Sequence, residues 1–222
     1  YCDAAGSVPP YAMLHKMCDM GYDFTIISGG KGIRGPQDTG LILGKGQKAV
    51  ELIQQIRKNS GPAEGVFGRQ FKVSKEGVIG LVTALELMLS RDENEEHRKQ
   101  LAKCEYIAKQ LTNIPGVEAT VVPNDGRSYE HPEMAHVPTV RVDMDKDILG
   151  ITTGRTINQE MMKGDPPISL SWVRFGRYEY GPYQNKAQTY IFSYYLRDGE
   201  EKIVAERMKQ LLTTCPWKKA AK

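Results

Sequence analysis

The apolar positions fall into two regimes along the chain. Over residues 10–20, Met13, Leu14 and Met17 recur at helical spacing. Phe24 to Ile27 are β-branched or aromatic and stop at once on glycine, which predicts a buried strand. A second short strand is predicted over 39–43, and a helix over 46–59 with Val50, Leu52, Ile53 and Ile56 on its apolar side. Residues 60–71 are glycine-rich and read as loop. Residues 73–113 read as one long helical region, stopped by Pro115-Gly116. Its first half, 78–89, is apolar nearly all round and is expected to be buried, and its second half, 91–103, is charged and solvated. Beyond 116 the pattern becomes α+β. Strands are predicted over 117–122, 140–143, 168–175 and 189–196, with a polar loop over 123–138. Helical spacing covers 153–163, and an amphipathic helix closes the pattern over 200–212, with Ile203, Val204, Met208 and Leu211 on one side.

The 222 residues, 40% of them hydrophobic, allow one good-sized domain or two small ones. A net charge of +3 with both signs interspersed gives no electrostatic surface for nucleic acid. Cys2, Cys18, Cys104 and Cys215 lack metal-ligand or redox spacing, so reduced thiols and a cytoplasmic setting are expected. The histidines form no zinc-site pair, no apolar run reaches membrane-spanning length, and no signal peptide opens the chain.

The candidate chemistry sits in the run from Asp23 to Gln37, where the predicted strand ends in Ser28-Gly29-Gly30-Lys31-Gly32. Glycines let the backbone of a tight turn press close to a ligand. Lys31 reads either as a solvated loop lysine or as an amine desolvated at the end of a core strand and thereby freed as a nucleophile. Two look-alikes are set aside. The Ser-x-x-Lys of β-lactamase-like enzymes starts a helix, whereas glycines argue against one here, and no Lys-Thr-Gly partner is present. A nucleotide P-loop needs Ser or Thr after the lysine, where this chain has Gly32.

Ser28-Gly29-Gly30-Lys31 followed by Gly32-Ile33-Arg34-Gly35-Pro36-Gln37 resembles the cofactor-lysine segment of fold type I pyridoxal-phosphate enzymes. It is most similar to the selenocysteine synthase group that includes the D-glucosaminate-6-phosphate ammonia-lyases. Asp3-Ala4-Ala5, Pro9-Pro10, Gly68-Arg69, Lys72, Lys75-Glu76, Gly164-Asp165-Pro166-Pro167-Ile168 and Asp198-Gly199-Glu200-Glu201 extend the resemblance over nearly the whole chain. It implies an α/β chain: residues 1–72 as the rest of a large domain with a three-layer, aspartate-aminotransferase-like sandwich, 73–113 as a connecting helix, and 114–222 as a small α+β domain. It implies pyridoxal 5′-phosphate as cofactor and Lys31 as the Schiff-base lysine.

Residue by residue, the resemblance makes Asp3 the carboxylate that keeps the cofactor ring nitrogen protonated, although an aspartate at a strand end is by itself a turn or cap residue. Ser28 matches a phosphate-binding hydroxyl and reads equally as a loop serine. Arg34, Arg69 and Lys72 become candidates for binding anionic groups. Arg174 is a candidate carboxylate clamp, or a surface arginine, because Ser169 to Val173 intervene between it and the Gly-Asp-Pro-Pro-Ile motif. The Tyr178-Glu179-Tyr180-Gly181-Pro182-Tyr183 segment has no counterpart in the family pattern.

The implied activity is that of a lyase acting on an amino acid or amino sugar acid. The alternatives are a seryl-tRNA selenium transferase-like enzyme, disfavoured by the near-neutral charge, and a catalytically incomplete fragment serving as an assembly partner. The opening Tyr1-Cys2-Asp3 reads as mid-strand, which predicts the carboxyl-terminal portion of such an enzyme. The expected partners are a small amino substrate, a second copy of the chain and a missing amino-terminal half, and no membrane.

Overall fold

In the computed structural model, residues 1–59, 74–122, 137–171 and 185–218 are described. Arg69, Lys72, Arg174 and the tyrosine-rich segment lie outside them. The described residues divide into two compact units, Tyr1–Glu93 and Asn94–Lys222.

The first unit is built on a three-stranded sheet in the order β1 (Cys2–Asp3), β2 (Phe24–Ser28), β3 (Gly40–Gly44). β1 pairs parallel with β2, placing Asp3 opposite Ile26, and β2 pairs antiparallel with β3, placing Ser28 opposite Gly40. Thr25 and Ile27 alternate inward on β2 and are fully buried. The Thr25 hydroxyl donates to the Cys2 carbonyl at 3.2 Å, which satisfies it inside the sheet.

The first helix is shorter than its periodicity suggests. A turn from Pro10 leads into α1 (Met13–Asp19), which buries Met13 and Leu14. In α2 (Gly46–Asn59) the fully buried position is Ala49, and Val50 is exposed. Lys45 pairs with Asp19 at 2.7 Å and Lys48 with Asp23 at 2.8 Å. The lysine beside each holds that carboxyl below its ordinary range. Both pairs lie in solvent and add little stability.

The expected single helix over 73–113 is two helices, α3 (Lys75–Leu89) and α4 (Glu93–Leu111). Ser74 caps α3 by accepting the Gly77 amide at 2.9 Å. The expectation that its apolar half is buried is overturned. Gly77, Leu81 and Met88 are buried, whereas Val78, Ile79, Val82, Leu87 and Leu89 are about half exposed or more. One stripe of α3 packs on the segment carrying Lys31, and the rest of its apolar surface faces outward.

The second unit is an antiparallel sheet, β4 (Val117–Val122), β5 (Thr139–Asp145), β6 (Lys186–Phe192), with β5 in the middle. Val140, Val142 and Met144 point from β5 into a core shared with Cys104, Ile107 and Leu111 of α4, Leu149 of α5 (Lys146–Leu149), Ile157 and Met161 of α6 (Gly154–Met162), and Val204, Met208 and Leu212 of α7 (Glu200–Thr214). The buried stripe of α7 is thus rotated from the expected one, and Ile203 is exposed. At its start, Glu200 accepts the Arg197 amide and Glu201 the Gly199 amide, each at 2.8 Å, so two first-turn glutamates reach back to amides at and before the N-cap. The strand expected over 168–175 is represented, among described residues, by a bridge between Ser171 and Tyr190. The strand expected over 189–196 begins earlier and gives way to a 3₁₀ turn at Ser193–Tyr195.

Cys104 is fully buried in this core, and burial pushes its thiol above the ordinary range, partly offset by a hydrogen bond with Ser193. The native state therefore keeps the thiol proton to higher pH than the unfolded chain does. That contribution is complete below the unfolded thiol pKa, about 8.5, and is lost as pH rises above it. The urea midpoint of the wild type is expected to fall more steeply between neutral and strongly alkaline pH than that of Cys104→Ala. Parallel curves would show that the thiol does not contribute.

Candidate active site around Lys31

Because β1 and β2 run parallel, Asp3 and Ser28 leave the sheet at the same edge. Ligand crevices of α/β sheets lie at the carboxyl ends of strands. The Asp3 carboxylate is exposed, and its hydrogen bond among the described residues comes from the Ala5 amide at 3.0 Å on Oδ1. Ser28 is half-buried, one residue before the turn that carries Lys31.

That turn closes on itself. Gly29 N donates to Thr39 O at 2.9 Å, Gly35 N to Gly29 O at 2.8 Å and Arg34 N to Lys31 O at 3.0 Å. Gln37 Nε2 donates to Gly30 O at 3.0 Å, and Thr39 Oγ1 to Pro36 O at 2.6 Å. Arg34 takes the left-handed conformation, φ 62°, which is uncommon for a residue with a Cβ.

The glycines allow close approach, but to the protein itself. A Cβ on Gly32 would run into the Val8 carbonyl, and one on Gly30 would lie 2.5 Å from Gln37 Cα. On Gly29 it would meet Thr39 Oγ1 and sit 2.7 Å from Leu81 Cδ1. The turn is therefore wedged between the Val8–Pro9 segment and α3, where Gly80 leaves room for Pro36 and Ala84 flanks Gly35. Lys31 itself is exposed. Backbone packing uses the space that the glycines leave, and the side chain is pushed outward.

Lys31, Asp3, Ser28 and Arg34 thus belong to one unit and to one sheet edge with its adjoining turn. The sequence reading missed the supports: Val8-Pro9, Gln37, Thr39 and the glycine side of α3. Gly77 and Gly80, three apart in an otherwise apolar helix, were the available signal.

In the second unit, Arg207 of α7 holds the Gly164-Asp165-Pro166-Pro167 turn. Its guanidinium donates to the carbonyls of Asp165 (2.7 Å), Pro166 and Met161, and Gly164 lies flat against it. On the sheet face turned away from the helices, the fully buried Asp143 carboxylate accepts Arg141 Nε at 2.8 Å and Gln188 Nε2. Among the described residues, no group of three or more His, Cys, Asp or Glu is arranged to hold a metal ion. No helix there is long and apolar enough to cross a membrane.

The fold is that of the carboxyl-terminal portion of a fold type I pyridoxal-phosphate enzyme. It matches the solved structure of D-glucosaminate-6-phosphate ammonia-lyase with a TM-score of 0.62 and 18% identity, over 96% of this chain and 49% of that one. A weaker likeness, TM-score 0.46 and 14% identity over 95% of this chain and 61% of the other, is to DesI in the presence of its TDP-sugar product. In sequence, the chain is 29% identical over 213 residues to a 5′-C-glycyluridine monooxygenase-decarboxylase from a Streptomyces species, covering 95% of this chain and 45% of that protein. No family model matches the chain. It spans about half the length of the ammonia-lyase and of the monooxygenase-decarboxylase.

Proposed function

We propose that the chain carries the lysine half of a pyridoxal-phosphate-dependent active site, and that the whole site acts on an amino acid or amino sugar acid as an ammonia-lyase does. One observation supports this above others: a self-closed turn presents Lys31 outward, beside the edge where Asp3 and Ser28 leave parallel strands. The donor set fits the group. Lys31 Nζ is exposed to take the aldehyde, the Asp3 carboxylate is exposed to accept a ring N–H, and the Ser28 hydroxyl and Arg34 suit a phosphate or carboxylate.

When bound, pyridoxal phosphate supplies an electron sink for charge developing at a substrate α-carbon. Lys31 would hold the cofactor by its aldehyde, and its free Nζ would be the general base for the substrate α-proton. Asp3 would accept the ring N–H and so favour the protonated ring. Arg69, Lys72 and Arg174 remain the candidates for orienting anionic parts of the substrate. The ammonia-lyase reaction rests on the fold likeness. A second reading rests on the higher sequence identity to the monooxygenase-decarboxylase: the substrate carries a glycyl group, and the bond broken is the one to its carboxylate.

The four cysteines are all free thiols, in keeping with a cytoplasmic protein. A second copy of the chain, or a polypeptide supplying the other half of the fold, is proposed to complete the site.

The test is an absorption titration with pyridoxal phosphate. The 222-residue chain is expected to develop a near-visible band that Lys31→Ala abolishes. A band that persists in the variant, or none in the wild type even beside an amino-terminal half, would remove the cofactor role from Lys31.

A further inference from the structure

Glu93 is the last residue of the first unit and the first of α4. Its Oε1 accepts the Tyr11 amide at 2.7 Å, across 82 positions of sequence. Tyr11 lies in the turn entering α1, where Met13 N donates to Pro10 O and Leu14 N to Tyr11 O, each at 3.0 Å. That helix start has no side-chain cap of its own, since Ala12 occupies the capping position. Glu93 therefore supplies, from a distance, an acceptor for the backbone amide one residue ahead of the N-cap, outside the helix itself. The residues just before Tyr11 form the wall behind the lysine. Val8 and Pro10 are buried, and the Val8–Pro9 peptide is what the Gly32 backbone rests on. A continuous set of contacts thus leads from Glu93 through Tyr11 and Val8–Pro10 to Gly32, the neighbour of Lys31.

We infer that Glu93 is a positioning residue for Lys31. By pinning the Tyr11 amide it fixes the Val8–Pro10 wall and, through Gly32, the placement of the turn that presents the lysine. The inference rests on the reading of Lys31 as the cofactor lysine. The contact demands reach rather than charge. Glutamine offers a carbonyl oxygen in the same place, whereas aspartate keeps the charge but stops one methylene short. A purely local role at the start of α4 makes the opposite demand, because there aspartate serves and glutamine does not.

The experiment compares Glu93→Ala, Glu93→Asp and Glu93→Gln by amide hydrogen exchange in the 222-residue chain without cofactor. The Arg34 and Gly35 amides report the turn, and the β2–β3 ladder amides serve as reference. Alanine and aspartate are each expected to speed exchange at Arg34 and Gly35 about tenfold with the ladder unchanged, while glutamine stays near wild type. Binding of pyridoxal phosphate, followed by its absorption band, is expected to weaken in the same order. Unchanged exchange in Glu93→Ala, equal acceleration of the ladder, or an aspartate variant that behaves like wild type while glutamine fails would each overturn the role. If the exchange pattern holds but wild type gives no band even beside an amino-terminal half, the wall contact stands and the cofactor reading of Lys31 falls.

Discussion

Gly32→Ala is expected to destabilise the first unit by about 1–3 kcal/mol and to loosen the lysine turn. The new methyl group would collide with the Val8 carbonyl, a backbone atom that cannot swing aside. Val8 is itself buried, and its neighbours continue into α1. The strain must therefore be relieved on the turn, by lengthening the Gly35–Gly29 and Arg34–Lys31 hydrogen bonds. Gly29→Ala is a graded comparison, since its methyl group would meet the side chains of Thr39 and Leu81, which have rotamers to use. The expected order of damage is Gly32→Ala, then Gly29→Ala. Urea unfolding followed by circular dichroism, with exchange at the Gly35 amide, measures both. Equal effects at the two sites, or a neutral Gly32→Ala, would contradict the wedge between Val8 and the turn.

Asp143→Ala is expected to cost the second unit about 2–4 kcal/mol. The carboxylate is fully buried and takes hydrogen bonds from Arg141 and Gln188 on neighbouring positions of the sheet. Removing it leaves a guanidinium and an amide facing a hole of the wrong polarity. The full penalty for orphaning a buried charge is about 3–5 kcal/mol, and it is reduced here because the Arg141 side chain stays 24% exposed and can reach water. The double variant Arg141→Met with Asp143→Leu is expected to recover most of the loss, since apolar groups of similar volume replace an ion pair at little cost. Tryptophan fluorescence suits the measurement, because Trp217 in this unit donates to the Leu149 carbonyl at 2.8 Å. A single variant within about 0.5 kcal/mol of wild type would mean that the pair is structurally idle.

Elements with one period and clear punctuation were legible from the sequence. Residues 117–122 form β4 as expected, since a β-branched run follows Gly116, whose φ of 78° suits glycine. Helix α3 shows where legibility ends. A segment apolar on all sides satisfies a buried helix and a half-covered one alike, and only the packing of Gly77, Gly80 and Leu81 decides which face has a partner. Ser90-Arg91-Asp92 carries no proline or glycine, so the break between α3 and α4 is marked only by the weaker signal of Asp92 followed three residues later by Glu95. At the candidate site, the glycines correctly signalled close approach. They could not say what approaches, and within the chain it is Val8, Gln37 and α3. Distant supports such as Tyr11 to Glu93 leave no periodic trace at all.

The hydrogen bonds that close residues 29–39 on themselves have a consequence for any molecule that reaches Lys31. The conformational entropy of that loop is surrendered when the chain folds, not when the ligand arrives. Association then needs to restrict chiefly the lysine side chain, since the backbone beneath it is already ordered. Preorganisation of this kind favours affinity without additional contacts, and it makes the rigidity of the turn, rather than the number of groups around it, the quantity on which binding depends.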